Sequence, residues 1–107
     1  MADRAPRPYL VCYDISDPRR LGRVHRLLQT RGIPLQYSVF LLWTDKAGLQ
    51  EVMQRIEELI NRRHDDVRAY PLPRQPRAMH LGRQLFPEGV ALAGLGVQTE
   101  LFPAGGI

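Results

Sequence analysis

Asp14 and four nearby arginines are the residues whose types and spacing point most directly to chemistry. Asp14 is the second-last residue of the apolar run YLVCYDI, and the arginines follow at positions 19, 20, 23 and 26. A carboxylate at the end of a strand must reach water, a cation or a helix N-terminus, because an unpaired buried charge is costly. Hard divalent cations such as Mg2+ prefer oxygen ligands. Asp14 is therefore either a metal ligand or an acceptor of amide bonds in the following turn.

The other titratable residues have simpler interpretations. Asp17 precedes Pro18, a pair that is typical of a helix start, so we expect Asp17 to cap a helix. His25 and His80 are general-base candidates in name only, and each is expected to be a surface or packing residue. Helical geometry turns His25 away from Arg19, Arg23 and Arg26. The single cysteine excludes an intramolecular disulfide, and the three histidines form no zinc pattern.

Composition limits the fold and suggests a partner. The chain of 107 residues, 44% hydrophobic and 24% charged, suffices for one modest globular domain. Its net charge is +4, and arginine supplies all the cationic residues except Lys46, which favours an anionic partner such as nucleic acid. The alternative explanation is that the arginine excess reflects the composition of the genome rather than a binding role. No apolar run is long enough to span a membrane, and we expect a cytoplasmic protein.

The apolar spacing predicts three strands and two helices. The first strand covers residues 9–15, with apolar side chains on both faces, and a helix follows from Pro18 to about Thr30. The run 35–43 is the second strand, with room for a bend or a short hairpin, and Tyr37 and Trp43 are expected in the core. A second helix starts after Thr44 or Asp45 and carries Arg62 and Arg63 in its last turn. Residues 67–72 form a strand at an edge or end of the sheet, because Pro71 cannot donate to a ladder.

This order of elements indicates an α/β sandwich (α+β) of ferredoxin-like type, with a mainly antiparallel sheet and both helices on one face. The apolar second face of the first strand then needs a cover, and a second copy of the chain is the simplest one. We expect a homodimer through this face. The predicted organisation is a disordered lead over 1–8, a domain over 9–96 and a flexible tail over 97–107. The domain has its core at 9–72 and a late strand region at 79–95.

Several segments resemble one known family. The segments YLVCYDI, DPRRLGRV, QYSVF and VRAYPL, in this order over residues 9–72, together with the later LGRQLFPEGV, resemble the second CRISPR-associated protein family, the endoribonuclease that accompanies the adaptation integrase. The resemblance implies a ferredoxin-like homodimer that joins the integrase in acquiring foreign DNA spacers for antiviral defence. It also implies, for some members, a metal-dependent endonuclease acting on RNA or double-stranded DNA.

The resemblance assigns roles to individual residues. Asp14 matches the catalytic, metal-binding aspartate, which lies near the dimer twofold so that two copies share a divalent cation, Mg2+ or another. Arg23 matches a basic helix position, and with Arg19, Arg20 and Arg26 it is expected to bind nucleic-acid phosphates. Tyr13, Ser38 and Phe40 are expected beside the site. Pro34 and Leu35 stand where relatives often carry a basic residue.

A second hypothesis from a different class stays open at this point. Because the ferredoxin-like fold hosts many functions, the chain also fits a non-catalytic dimeric module that binds a ligand or regulates a partner.

Overall fold

The computed structural model describes residues 5–80 and 98–101, with side chains from Ala5 to Met79. The strands are β1 (Arg7–Asp14), β2 (Ile33–Gln36), β3 (Val39–Thr44), β4 (Asp66–Pro71), β5 (Arg77–His80) and β6 (Gln98–Leu101), and the helices are α1 (Pro18–Gln29) and α2 (Lys46–Leu59). The first four strands form one antiparallel sheet in the order β2-β3-β1-β4. β5 and β6 pair in parallel as a second, two-stranded sheet. The predicted ferredoxin-like α+β fold is confirmed, because the first four strands and two helices follow its βαββαβ order.

Both helices begin where the sequence predicts. The Asp17 carboxylate accepts hydrogen bonds from the amides of Arg19 and Arg20, and Pro18 takes the first helical position, where a missing amide costs nothing. Asp45 caps α2 by accepting from the Gly48 amide at 2.7 Å. The expected placement of Arg62 and Arg63 in the last turn of α2 is wrong, because the helix ends at Leu59 and both arginines follow it.

The main core lies between the helices and one face of the sheet. Tyr9, Val11 and Tyr13 of β1 point toward the helices and are buried together with Phe40 and Leu42 of β3. Each helix contributes two buried residues to this core, namely Val24 and Leu28 from α1 and Val52 and Ile56 from α2. Both helices therefore cover the same face of the sheet, as predicted.

The run 35–43 folds as a hairpin. β2 and β3 are joined by Tyr37 and Ser38, and Ser38 has φ of 65°, a left-handed conformation that costs a non-glycine residue about 1–2 kcal/mol. The hairpin alternative is therefore the correct one. The prediction that Tyr37 and Trp43 lie in the core is wrong: Tyr37 is 87% exposed at the hairpin tip and Trp43 is 48% exposed. Tyr37 lies in the turn itself, and Trp43 lies in β3 on the second face of the sheet, opposite Pro8 and away from the helices.

Gly32 allows a close approach between α1 and β3. A Cβ atom at this position would lie 2.5 Å from the Leu41 carbonyl oxygen, so any larger residue would collide with backbone. The sequence suggests instead a left-handed residue after the helix, but the backbone of Gly32 lies outside that region. Glycine is needed here for space.

The second face of the main sheet carries a smaller apolar cluster. Leu41 is buried there, packed by Leu35, Leu72 and Ala78, the last of which belongs to β5. Tyr70, Leu10 and Leu41 lie directly opposite one another across β4, β1 and β3. Tyr70 is 43% exposed and Leu10 is half-buried, so apolar side chains on this face remain in contact with solvent.

The limits of the ordered elements differ from the predicted organisation at both ends. The expected disordered lead over 1–8 is wrong for its last two residues, since β1 begins at Arg7 and Pro8 is fully buried. Residues 98–101 of the expected flexible tail form β6. Residues 1–4, 81–97 and 102–107 lie outside the described residues, and with them residues 81–95 of the late strand region and most of the tail. Among the described residues, no helix is long and apolar enough to cross a membrane.

Candidate functional site

Asp14 has a second carboxylate beside it. It is the last residue of β1, is exposed, and lies directly opposite Asp66 of β4. Directly opposed residues of antiparallel strands project from the same face, with Cβ atoms about 5 Å apart. Asp66 also accepts a hydrogen bond from Arg68 Nε at 3.0 Å, in an ion pair that is largely exposed. The fold thus gives the chain two solvent-accessible carboxylates at one end of the second face.

A buried ion pair holds the loops on either side of this pair of carboxylates. The Asp65 side chain is 0% exposed and accepts from Arg20 Nε at 2.7 Å and Arg20 Nη2 at 3.1 Å. The Ser16 amide and hydroxyl and the Asn61 amide also donate to it. The Arg20 guanidinium, aided by these backbone amides and opposed by burial, holds the pKa of Asp65 far below its usual range.

The four predicted phosphate-binding arginines divide into two kinds. Arg20 is committed to Asp65 and is only 25% exposed, so its contact is structural. Arg19, Arg23 and Arg26 are exposed on α1 and have no carboxylate partner in the part of the chain that the structure describes. We call these three residues the arginine stripe. Its unpaired guanidinium groups suit phosphate oxygens better than bases.

Tyr13, Ser38 and Phe40, expected beside the site, do come together, but on the helix side of β1. The Tyr13 amide donates to the Ser38 carbonyl at 3.1 Å, and the Tyr13 ring stacks on Phe40 with centroids 6.3 Å apart. His25 completes the group: its Nδ1 lies 3.0 Å from the Tyr13 hydroxyl, and its ring meets Phe40 edge-on. Burial, and then the neighbouring Tyr37, raise the pKa of Tyr13, although a hydrogen bond with Ser38 opposes them.

The oxygen atoms of the two exposed carboxylates are ligands of the type that a hard cation prefers. Asp14 and Asp66 offer carboxylate oxygens, which Mg2+ takes in ones and twos while it keeps several waters. No group of three or more histidine, cysteine, aspartate or glutamate residues is present within residues 5–79, so one protomer holds no larger metal cluster there. This donor set is compatible with a cation completed by water, substrate or a second protomer.

Comparison with known proteins identifies the family. The profile described as CRISPR associated protein Cas2 matches residues 7–79. The chain belongs to the Cas2 family. It is 47% identical over 92 residues to a protein of Nitrosomonas europaea named CRISPR-associated endoribonuclease Cas2 1, covering 86% of this chain and 88% of that one. A Thermodesulfovibrio yellowstonii protein named CRISPR-associated endoribonuclease Cas2 2 is 48% identical over 84 residues, covering 78% of this chain and 92% of the relative.

A solved structure agrees with this Cas2 assignment. A protein of Thermus thermophilus matches with a TM-score of 0.69 and 33% identity, over 78% of this chain and 100% of that one. The whole length of that relative therefore has the same fold as the matching part of this Cas2 family member.

Two contributors to the geometry of this Cas2 family member escape sequence reasoning. Asp66 follows Asp65 far from Asp14 in the chain, and only the register of β1 with β4 brings Asp14 and Asp66 together. His25 is expected to be a surface or packing residue, and the packing alternative is confirmed by its edge-on contact with Phe40. Its contact with the Tyr13 hydroxyl is the part that the sequence does not reveal. The available signal was the position of His25 on the same side of α1 as Pro18 and Leu21, three- and four-residue spacings that place it against the sheet.

Proposed function

We propose that the protein is a homodimeric nuclease of CRISPR adaptation, which binds nucleic-acid phosphates through the arginine stripe and cleaves phosphodiesters at a Mg2+ site containing Asp14. It acts beside the adaptation integrase in spacer acquisition. The observation that carries the proposal is the exposed Asp14 carboxylate opposite Asp66 in a chain of this family, whose relatives are named endoribonucleases.

The dimer is supported by the second face of the sheet. Tyr70, Leu10 and Leu41 form an apolar row across three strands, and Tyr70 stays 43% exposed in one protomer. Apolar rows of this kind on one sheet face suit a matching copy related by a twofold axis. Asp14 lies on the same face as Leu10, since both occupy even positions of β1. A dimer through this face would therefore bring the carboxylates of two protomers to one interface.

Mg2+ would be held by Asp14, with Asp66 as the neighbouring carboxylate. When bound, such an ion orients a water molecule and neutralises charge on the phosphate. The arginine stripe supplies sequence-independent attraction for the phosphate backbone, as expected of an enzyme that acts on varied sequences.

A nuclease assay tests the catalytic part. Wild type and Asp14→Ala are compared on single-stranded RNA and on duplex DNA, with Mg2+ and with EDTA. We expect cleavage by wild type in Mg2+ and its loss with either change. Glu58→Gln is the matched control, because it removes an exposed carboxylate of α2, which packs on the face of the sheet opposite Asp14. Cleavage that persists in Asp14→Ala would contradict the proposal.

Solution mass and co-purification test the assembly. Light scattering should give twice the 12.3 kDa of one chain. Tyr70→Arg places a charge in the apolar row and should lower the mass toward one chain, whereas Gln54→Arg on the exposed face of α2 should not. A tagged protein should also retain the adaptation integrase when the two are expressed together. A monomeric wild type at working concentration would refute the shared site.

A further inference from the structure

A small cavity opens between α1 and the β2–β3 hairpin, on the side of β1 opposite Asp14. It has a volume of about 230 Å³ and is lined by Tyr13, Pro18, Leu21, Gly22, His25, Tyr37 and Ser38. The proposed nuclease site does not use it. Leu21 and Pro18 give it an apolar wall, while Tyr13, His25 and Ser38 place polar groups in it.

The polar groups of the cavity are already ordered. The Tyr13 side chain is buried, and its hydroxyl lies 3.0 Å from His25 Nδ1. Burial raises the pKa of Tyr13 further above neutrality, so the hydroxyl remains a hydrogen-bond donor. Phe40 fixes both rings, stacking on Tyr13 and meeting His25 edge-on. Pre-ordered polar groups in a mainly apolar pocket are typical of a site for a small flat polar ligand.

The mouth of the cavity carries an exposed aromatic ring. Tyr37 is 87% exposed at the hairpin tip, next to Ser38 with its left-handed backbone. An aromatic ring in water is a stacking surface for a nucleobase, and the stacking tolerates any base. The cavity is smaller than the roughly 300 Å³ at which drug-sized pockets begin, so it suits one base rather than a whole nucleotide.

The cavity also borders the arginine stripe at Arg26. Gly22 lines the cavity and lies one turn before Arg26 on α1. The Arg26 guanidinium reaches back over the helix, so that a Cβ atom on Gly22 would lie 3.4 Å from its Nη1. A strand with a phosphate on Arg26 can therefore reach the cavity beside Gly22.

We propose that this cavity binds a single unpaired nucleobase of the bound nucleic acid, stacked on Tyr37 with its edge toward Tyr13, His25 and Ser38. Bases inside a duplex are stacked and paired, so only a base outside the helix can enter. The inference rests on the proposed nucleic-acid binding and adds a preference for substrates with an unpaired base.

The test compares two DNA duplexes by fluorescence titration, one fully paired and one with a single bulged 2-aminopurine. For wild type we expect the bulged duplex to bind about tenfold more tightly, as stacking on an aromatic side chain allows. The 2-aminopurine emission should fall on binding. Tyr37→Ala should abolish the gain and the quenching, while Tyr37→Phe, which keeps the ring, should retain both.

Two substitutions at Gly22 provide a second test variant with its matched control. Gly22→Leu fills the cavity from the helix side, and Gly22→Ala adds one methyl group that makes only ordinary contact with Arg26. Both raise helix propensity, so loss of folding is not expected. The gain should disappear in Gly22→Leu and persist in Gly22→Ala.

The outcomes separate this inference from the proposed function. Equal binding of both duplexes by wild type, or a gain that survives Tyr37→Ala and Gly22→Leu, overturns the base-binding cavity and leaves phosphate binding intact. Failure of wild type to bind either duplex refutes both.

Discussion

Asp65→Asn tests whether the buried ion pair fixes the loops around Asp14 and Asp66. The substitution keeps the size of the side chain but removes the charge that Arg20 pairs with, and it turns an amide NH2 toward groups that donate. Because the Asp65 side chain is 0% exposed, water cannot replace the lost partners. Hydrogen bonds to charged groups contribute about 1.5–3 kcal/mol each on removal, and Arg20 retains some solvent, so we expect a loss of about 3 kcal/mol in the free energy of unfolding.

The adjacent residue supplies the matched control. Asp66→Asn removes an exposed carboxylate whose ion pair with Arg68 is largely in water. Exposed pairs contribute little, so its free energy of unfolding should stay within about 0.5 kcal/mol of wild type. Urea unfolding followed by circular dichroism, at one protein concentration because of the proposed dimer, measures both variants.

The pH dependence gives an independent check. The folded-state pKa of Asp65 is lowered, so its stabilisation is fully present above the unfolded carboxyl value of about 4 and is lost as the pH falls below it. The difference between wild type and Asp65→Asn should therefore be constant above about pH 5 and shrink in more acidic solution. Equal stabilities of Asp65→Asn and Asp66→Asn, or a difference that grows on acidification, would refute the reasoning.

Three further changes test the phosphate-binding surface and the packing. In a plot of log affinity for duplex against log salt concentration, the arginine stripe of one protomer should contribute about 2.7 to the slope, or about 5.4 if both copies of a dimer engage, and replacing all three residues with alanine should remove that contribution. Arg55→Ala on α2 should leave the slope unchanged. A wild-type affinity that does not depend on salt would contradict phosphate binding. Gly32→Ala should lower the unfolding free energy by about 2 kcal/mol through its collision with the Leu41 carbonyl, whereas an unchanged melting temperature would mean that β3 moves aside at no cost. Phe40→Ala should cost about 3–5 kcal/mol by calorimetry, because Phe40 is 0% exposed, and a loss below about 1 kcal/mol would mean that the core collapses around the missing ring.

The local signals in the sequence predicted most of the fold. Asp17 with Pro18 fixed the start of α1, and the apolar spacing of α2 placed that helix on the correct face. These features succeed because capping and helical periodicity depend on residues close in the chain. Tyr37 was misplaced because alternation cannot locate a two-residue turn whose key residue, Ser38, is not a glycine. Trp43 was misplaced because alternation does not show which face of a strand the helices cover.

The site was less accessible to sequence reasoning because it depends on pairing across the chain. Asp14 stood out alone, but its neighbour Asp66 is set by the β1–β4 register. Arg20 looked like a member of the arginine stripe, since its carboxylate partner Asp65 lies 45 residues away. Tertiary pairing therefore decided which charges are free and which are already satisfied.

The position of Asp65 has a consequence for attempts to redesign the protein. Asp65 is the chain neighbour of Asp66, and its partner Ser16 lies two residues after Asp14, so one buried contact anchors both strand ends that carry the exposed carboxylates. Fold stability and the geometry of the proposed metal site therefore depend on the same contact. Replacing the Arg20–Asp65 contact with apolar side chains to raise thermal stability would also remove the contact that sets the distance between Asp14 and Asp66. Such a design would need another interaction between the two strand ends to restore that distance.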